Sequence, residues 1–396
     1  MKIYVTYEEL YAAYIDCRRR KRGTANEIIF EINECEKLYN LWIDLNTFNY
    51  KVGRSICFIV DKPVPREVFA ADFRDRIVHH LFINRILKFF EQEMIEDSYS
   101  CRVGKGTQYG VYKCAKYIKE CSKNYTKDCH ILKCDLKQFF VTINKDILAE
   151  MLHDFLINKC GCDGDDLEFM ERIMRLIVFN DPTENCIIRG SLTDWNKLPK
   201  EKSLFNTSKN KGIPIGNLTS QIFANFYLSG FDYYVTETLG FKYYGRYVDD
   251  FFIVCDSKEK LLDCVDSLKY YLKGIEVILH PKKLYLQHYT KGIKFIGHVV
   301  KPGRIYIGNR TKGNFYETIL KECSIFYNDT FTLKDLEHFT SSMNSYLGFM
   351  KNYSTYNIRK KMLSNKYILQ FYKYGCTNCD HTKIKIIKKK EVYITS

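Results

Sequence analysis

The pattern of apolar positions divides this chain into elements before any of its chemistry is considered. Residues 1–50 read as mainly helical. Residues 55–70 read as two short strands joined by a turn that carries Lys62, Pro63, Pro65 and Arg66. From Asp72 to Phe90 the apolar residues return every three or four positions, so one face of a helix points to a core. Gly104 and Gly106 predict a turn before a helix from Gln108. Residues 131–140 form an apolar strand ending in Asp135, followed by a helix from near Asn144, whereas residues 160–211 are polar and irregular and read as an insertion or an extended fingers segment. A Gly/Pro turn from Gly212 enters a helix that Asn217 or Thr219 would cap. Between Phe241 and Cys255, two β-branched and aromatic runs flank Asp249 and Asp250, the pattern of a β-hairpin with an acidic pair at its turn. An amphipathic helix over 257–273 comes next, then strands over 276–279, 284–289 and 293–300. A helical, basic and aromatic segment over 312–372 and a lysine-rich tail from 382 complete the chain.

Composition adds a partner class. The 396 residues carry 61 Lys and Arg against 47 Asp and Glu, a net charge of +14, which favours a polyanion and nucleic acid first. No apolar run approaches the roughly 18 residues of a membrane span, and the N-terminus lacks a signal-peptide pattern. The 16 cysteines form no framework and read as reduced thiols, so a cytoplasmic protein without a membrane is expected.

Candidate chemistry begins with cost. An aspartate leaving a buried strand, and two aspartates side by side between strands that want burial, are expensive unless used. Hard carboxylate oxygens bind Mg²⁺, which prefers one or two carboxylates together with substrate phosphates. Asp135, Asp249 and Asp250 therefore point to two-metal nucleotidyl transfer, with ions about 3.5–4 Å apart. Gly104 and Gly106 let the main chain approach a phosphate or template strand, with Arg102 and Lys105 beside them. Arg74 and Arg76, and the cluster Arg18 to Arg22, are candidates to face a backbone, although each basic residue reads equally as a solvated side chain. Cys376 and Cys379 with His381 have zinc-like spacing but no second pair of ligands to complete four.

Taken in order, these motifs resemble those of reverse transcriptases over residues 55–365. Lys62 to His80 resembles the fingers motifs, and Asp135 falls in a run similar to motif A. Gly212 to Gln221 resembles motif B, Tyr247 to Asp250 motif C, Pro281 to Lys283 motif D, and Phe295 to Val300 the primer grip. The resemblance implies an α+β right-hand polymerase with fingers, a ferredoxin-like palm built on an antiparallel sheet, and a helical thumb. Residues 1–115 would be N-terminal helices and fingers, and 116–304 the palm with an inserted segment at 160–211. Residues 305–374 would be the thumb and 375–396 a basic tail.

It implies two Mg²⁺ ions, or Mn²⁺ in their place, at Asp135, Asp249 and Asp250. It gives Lys283 the part of general acid, with Lys282 as rival. Lys62, Arg66, Phe140, Ile215 and Gly216 would bind a deoxynucleoside triphosphate, Phe140 blocking a ribose 2′-hydroxyl. Arg74, Arg76, Arg102, Lys105, Ser220, Gln221, Phe295 and Gly297 would meet template or primer. Ile215 stands where most of these enzymes have Gln. With Ser220, Gln221 and the stretches at 73–80, 194–205 and 344–348 it resembles the enzymes of diversity-generating retroelements. These copy a template-repeat RNA into cDNA, misincorporate at template adenines and work with a small basic accessory protein, and a cognate structured RNA is a further expected partner. A phage-defence or retron-like enzyme, and a non-catalytic RNA-binding scaffold on the same fold, stay open as alternatives.

Overall fold

The computed structural model describes residues 2–19, 23–61, 64–327 and 331–387. The chain forms two compact units, one of Met1–Gly106, Lys133–Ile253 and Glu259–Tyr285, the other of Thr107–Leu132, Val254–Lys258 and Leu286–Ser396.

The first unit opens with α1 (Tyr7–Arg18), α2 (Ala25–Glu31) and α3 (Glu34–Asn46). Thr6 and Glu9 close a capping box at the start of α1, which sets where that helix begins. β1 (Ile56–Val60) and β2 (Arg66–Ala70) pair antiparallel, Ile56 opposite Ala70 and Val60 opposite Arg66. α4 (Phe73–Glu93) buries Phe73, Ile77, Leu81, Phe82 and Phe90, the stripe its apolar spacing predicts, and packs against α1.

After α5 (Thr107–Cys121) the chain enters β3 (His130–Asp135) and the single turn α6 (Phe139–Thr142). α7 (Lys145–Asn158) follows, capped by Asn144, whose side chain accepts from the Asp146 and Ile147 amides. The expectation of irregular chain over 160–211 fails at its start. α8 (Gly164–Val178) is a regular helix burying Phe169, Met170, Ile173, Met174 and Val178. A polar, Gly-containing entry hid a helical apolar spacing. β4 (Ile187–Ile188) then joins β1 in parallel, and the rest to residue 211 is turns and short 3₁₀ segments.

α9 (Leu218–Tyr227) and α10 (Ser229–Tyr233) lead into β5 (Tyr243–Tyr247), β6 (Asp250–Cys255) and α11 (Lys258–Gly274). With β7 (Tyr285–His288) they complete a four-stranded sheet in the order β5-β6-β3-β7. Residues 276–279 do not form the expected strand; Leu279 makes a single bridge to Leu136.

In the second unit the expected strand over 293–300 is a hairpin. β8 (Ile293–Phe295) and β9 (His298–Lys301) are joined by Ile296 and Gly297, both at positive φ, and β10 (Arg304–Ile307) adds a third strand. α12 (Asn309–Cys323), α13 (Leu333–Met350) and α14 (Tyr356–Leu363) supply the helical segment, with Phe326, Phe339 and Phe371 clustered at 5.0–6.0 Å between ring centres. Residues 375–386, expected as the start of a tail, form the hairpin β11 (Gly375–Thr377) and β12 (Ile384–Ile386). Among the described residues no helix is long and apolar enough to cross a membrane.

Candidate active site

The site is built where three distant stretches meet in the first unit. Asp135 ends β3. Its carbonyl accepts the His280 amide at 2.8 Å, and the next amide, of Leu136, donates to the Asp249 carbonyl at 3.0 Å. Asp249 sits in the two-residue loop between β5 and β6, and Asp250 opens β6, so only one of the acidic pair lies in the turn proper. The other loop residue, Val248, has φ 56°. A hairpin usually gives that position to Gly or Asn, and a β-branched residue there carries strain of about 1–3 kcal/mol.

The three carboxylates feel one another. Burial pushes Asp249 above the usual carboxylate range, and the charge of Asp135 adds to it, while Lys283 and Arg66 pull it back. Asp250 is raised to about 6, first by burial, against the opposing pull of Lys133. Lys283 Nζ lies 3.0 and 3.1 Å from the two oxygens of Asp135. Lys133 Nζ pairs with Asp250 Oδ1 at 2.7 Å. Neighbouring buried carboxylates are the donor chemistry that suits a hard divalent cation. With Asp135 turned to Lys283 and Asp250 to Lys133, no three His, Cys, Asp or Glu side chains among the described residues stand in metal-holding geometry.

Beside the acids, the turn from Gly212 to Asn217 is tied to two elements. The Gly212 amide donates to Ile143 at 2.8 Å and the Ile213 amide to Phe140 at 2.9 Å, linking the turn to the segment after Asp135. On its other side, the Phe69 amide donates to the Ile215 carbonyl at 2.8 Å, and the Ala71 amide to Asn217 Oδ1 at 3.1 Å. Gly216 has φ 128°, and a Cβ there would come within 2.8 Å of Val68 Cγ1. Asn217 therefore ties down the end of β2 instead of capping its own helix by side chain, and Thr219 faces His79 at 3.2 Å. Phe140 and Ile215 are half-buried, and Arg66 is exposed at the start of β2. Lys62 lies outside the described residues, as do Arg20 to Arg22 and the tail from Lys388.

Several expected nucleic-acid contacts are already engaged within the chain. Arg74 pairs with Asp44 and lies over the Tyr50 ring. Arg102 is held by Glu91 at 2.8 Å and by the Ile95 and Ser98 carbonyls, and Lys105 by Glu96. These three take part in local ion pairs, which is neither the expected nucleic-acid contact nor a freely solvated side chain. Arg76 donates to the Ala71 carbonyl at 2.9 Å and, with His79, His80, Gly216 and Asn217, lines a small cavity. Ser220 is buried, whereas Gln221 is exposed and accepts from Cys101 Sγ.

Phe295 belongs to the second unit, where its ring is fully buried and offers no surface to a primer; Gly297 is exposed at its hairpin tip. The segment Cys376 to His381 is a β-hairpin turn. Asn378 Oδ1 closes it by accepting the Thr382 and Lys383 amides, and Arg359 holds the Asp380 and His381 carbonyls.

Three residues of the site escape the motif reading: Lys133, Asp232 and Arg246. Arg246 and Asp232 are fully buried and paired at 2.5 Å. The available signal was an arginine in the middle of an apolar strand, which demands a buried partner.

A family model described as reverse transcriptase (RNA-dependent DNA polymerase) matches residues 65–300, a span that contains all of these acids. No curated protein sequence matches the chain. Among solved structures it is similar to a telomerase from Candida albicans in complex with a fragment of telomeric RNA. That match has 13% identity and a TM-score of 0.47 over 85% of this chain and 63% of that one. An apo telomerase from Candida tropicalis matches at 12% identity and a TM-score of 0.47, over 82% of this chain and 59% of that one. The chain thus spans less than two thirds of either structure's length.

Proposed function

The chain belongs to the reverse transcriptase family and has its α+β polymerase fold, and from that premise we propose that it copies RNA into cDNA by two-metal nucleotidyl transfer, as the adenine-mutagenic enzyme of a diversity-generating retroelement. One observation supports the catalytic reading above the rest. The hydrogen bond from Leu136 to Asp249 joins the end of β3 to the acidic turn, and burial, with a smaller part from the neighbouring carboxylates, raises the proton affinities of Asp249 and Asp250 there.

Bound Mg²⁺, or Mn²⁺, supplies Lewis acidity and neutralises charge on the transferring phosphate. Asp135 and Asp249 are the direct ligands in this reading, and Asp250, paired with Lys133, supports them. Lys283, whose Nζ lies 3.0 Å from Asp135, is in this reading the general acid for the leaving pyrophosphate, with Lys282 as rival. Arg66, with Lys62, grips the triphosphate through charge-assisted bonds. Phe140 closes the space a ribose 2′-hydroxyl would need. The partners are an RNA template, its primer or growing cDNA, deoxynucleoside triphosphates, a cognate structured RNA and a small basic accessory protein.

Primer extension on an RNA template with Mg²⁺ tests the chemistry. Wild type extends, and Asp249→Ala falls below about 1% of it. Absence of wild-type extension on every RNA template would favour the RNA-binding scaffold. The subtype rests on Ile215, whose side chain can neither donate nor accept a hydrogen bond and so cannot check the incoming nucleotide as an amide could. Ile215→Gln is expected to lower misincorporation opposite template adenine, read by sequencing the cDNA; an unchanged error rate overturns that role.

A further inference from the structure

We propose that Arg246 is a positioning residue of the polymerase centre: its buried guanidinium holds the Val248 carbonyl, and so keeps the strained acidic turn in the conformation that aims Asp249 at Asp135. The inference rests on the polymerase reading above.

Arg246 lies two residues before Val248, on β5. It and Asp232 are both fully buried. Its Nε and one terminal nitrogen reach the two Asp232 oxygens at 2.7 and 2.5 Å, the fork that a planar guanidinium can make and an ammonium cannot. Tyr244, on the same strand, donates its hydroxyl to Asp232 Oδ1 at 2.6 Å. Asn225 of α9 supplies its backbone carbonyl at 3.2 Å and its side-chain oxygen at 3.3 Å. With its charge balanced and its other donors engaged, the guanidinium gives its remaining reach to the Val248 carbonyl at 3.0 Å.

The main chain on either side is held as well. The Arg246 amide donates to Asp97, and the Arg246 carbonyl accepts from Tyr99, at 2.9 Å each. The strand therefore cannot slide, and the side chain acts from a fixed base. Two consecutive carbonyls of the turn are then bonded by different strands, Val248 by Arg246 of β5 and Asp249 by the amide of Leu136 just after β3. Between them lies the Cα that carries the Asp249 carboxylate. Val248 resists its positive φ, so the turn keeps this shape only while something holds it. A pair serving stability alone would need no bond to that carbonyl and could be replaced by apolar residues of similar volume without loss.

Three variants test this. Arg246→Lys keeps the charge opposite Asp232 but loses the fork. Arg246→Met with Asp232→Leu removes the pair while filling its space. Val248→Gly, added to the Met/Leu protein, makes positive φ easy without the clamp. Each is followed by thermal unfolding, by amide hydrogen exchange of the peptide around 246–251 against that of α9, and by kcat and KM in primer extension. Folded Arg246→Lys and Met/Leu proteins are expected to exchange at the turn at least about tenfold faster, with α9 unchanged. Their kcat is expected to fall about a hundredfold at a KM for primer–template within a few-fold of wild type. Val248→Gly should recover about tenfold of that kcat.

Unchanged exchange at the turn, kcat within threefold of wild type in either folded variant, or no recovery from Val248→Gly overturns the proposal. Should the Met/Leu protein fail to fold, Arg246→Lys decides by the same readings. Faster exchange at the turn alongside an inactive wild type would support the clamp and count against the polymerase reading alone.

Discussion

Asp75 shows what burial does to a carboxylate that has hydrogen bonds but no cation in direct reach. It is 1% exposed and accepts from the Tyr50 hydroxyl at 2.7 Å and the Gly53 amide at 2.9 Å. Burial outweighs both bonds and raises its pKa to about 6 from 3.8. Between about pH 4 and pH 6 the folded chain keeps a proton there that the unfolded chain has released, so this group's contribution to stability falls as pH rises through that window and is level above it. Asp75→Asn removes the titration. Relative to wild type, the variant is expected to gain stability from pH 4 to pH 6.5, by at most about 3 kcal/mol. Denaturant unfolding at each pH checks it; a constant difference across the range would refute the raised pKa. Asp135 differs in its partner: Lys283 Nζ lies 3.0 and 3.1 Å from its two oxygens. The sequence marked Asp135 as a charge leaving an apolar strand and gave no sign of Asp75, and the partner of each lies tens of residues away or more, where no local pattern points.

At the scale of elements, the turn from Gly212 to Asn217 does more than start a helix. It joins β2 to the segment after Asp135, and at Gly216 a Cβ would meet Val68 and the Phe69 carbonyl. Gly216→Ala would need both a positive φ and space that Val68 and the Phe69 carbonyl occupy. A loss of about 1–3 kcal/mol is expected from crowding and backbone strain together, read as a lower urea midpoint. Nucleotide addition should drop with it, because Ile215 and Phe140 hang from the same hydrogen bonds. Wild-type stability in this variant would show that the turn yields easily. The glycine's importance was legible from its place in a Gly/Pro turn; its neighbours were not. Asn217 illustrates the difference: its position before the helix suggested a cap, but the Ala71 amide, 146 residues away, takes its oxygen. Sequence also merged β8 and β9 into one strand, since Ile296 gives no warning that it will adopt a positive φ.

Across the whole molecule, the α+β polymerase architecture followed from the resemblance of the ordered motifs, while most elements from β1 to α11, α8 and β4 excepted, and the three acids were readable from periodicity and from the cost of placing charge in apolar strands. Those are local properties, set by residues within a turn or a strand of one another. The division into two units was not readable, because each unit gathers stretches far apart in the chain. Nor was the fate of the basic residues. Arg74, Arg102 and Lys105 are spoken for by Asp44, Glu91 and Glu96, while Arg66 stays exposed and close enough to lower the proton affinity of Asp249. By itself the sequence determined which chemistry the chain can carry, since carboxylates and a hairpin pattern are written in consecutive residues. Only tertiary structure decided how Asp249 is aimed, because the groups that hold its turn, Arg246 with Asp232 and the amide of Leu136, come together solely through burial and long-range pairing.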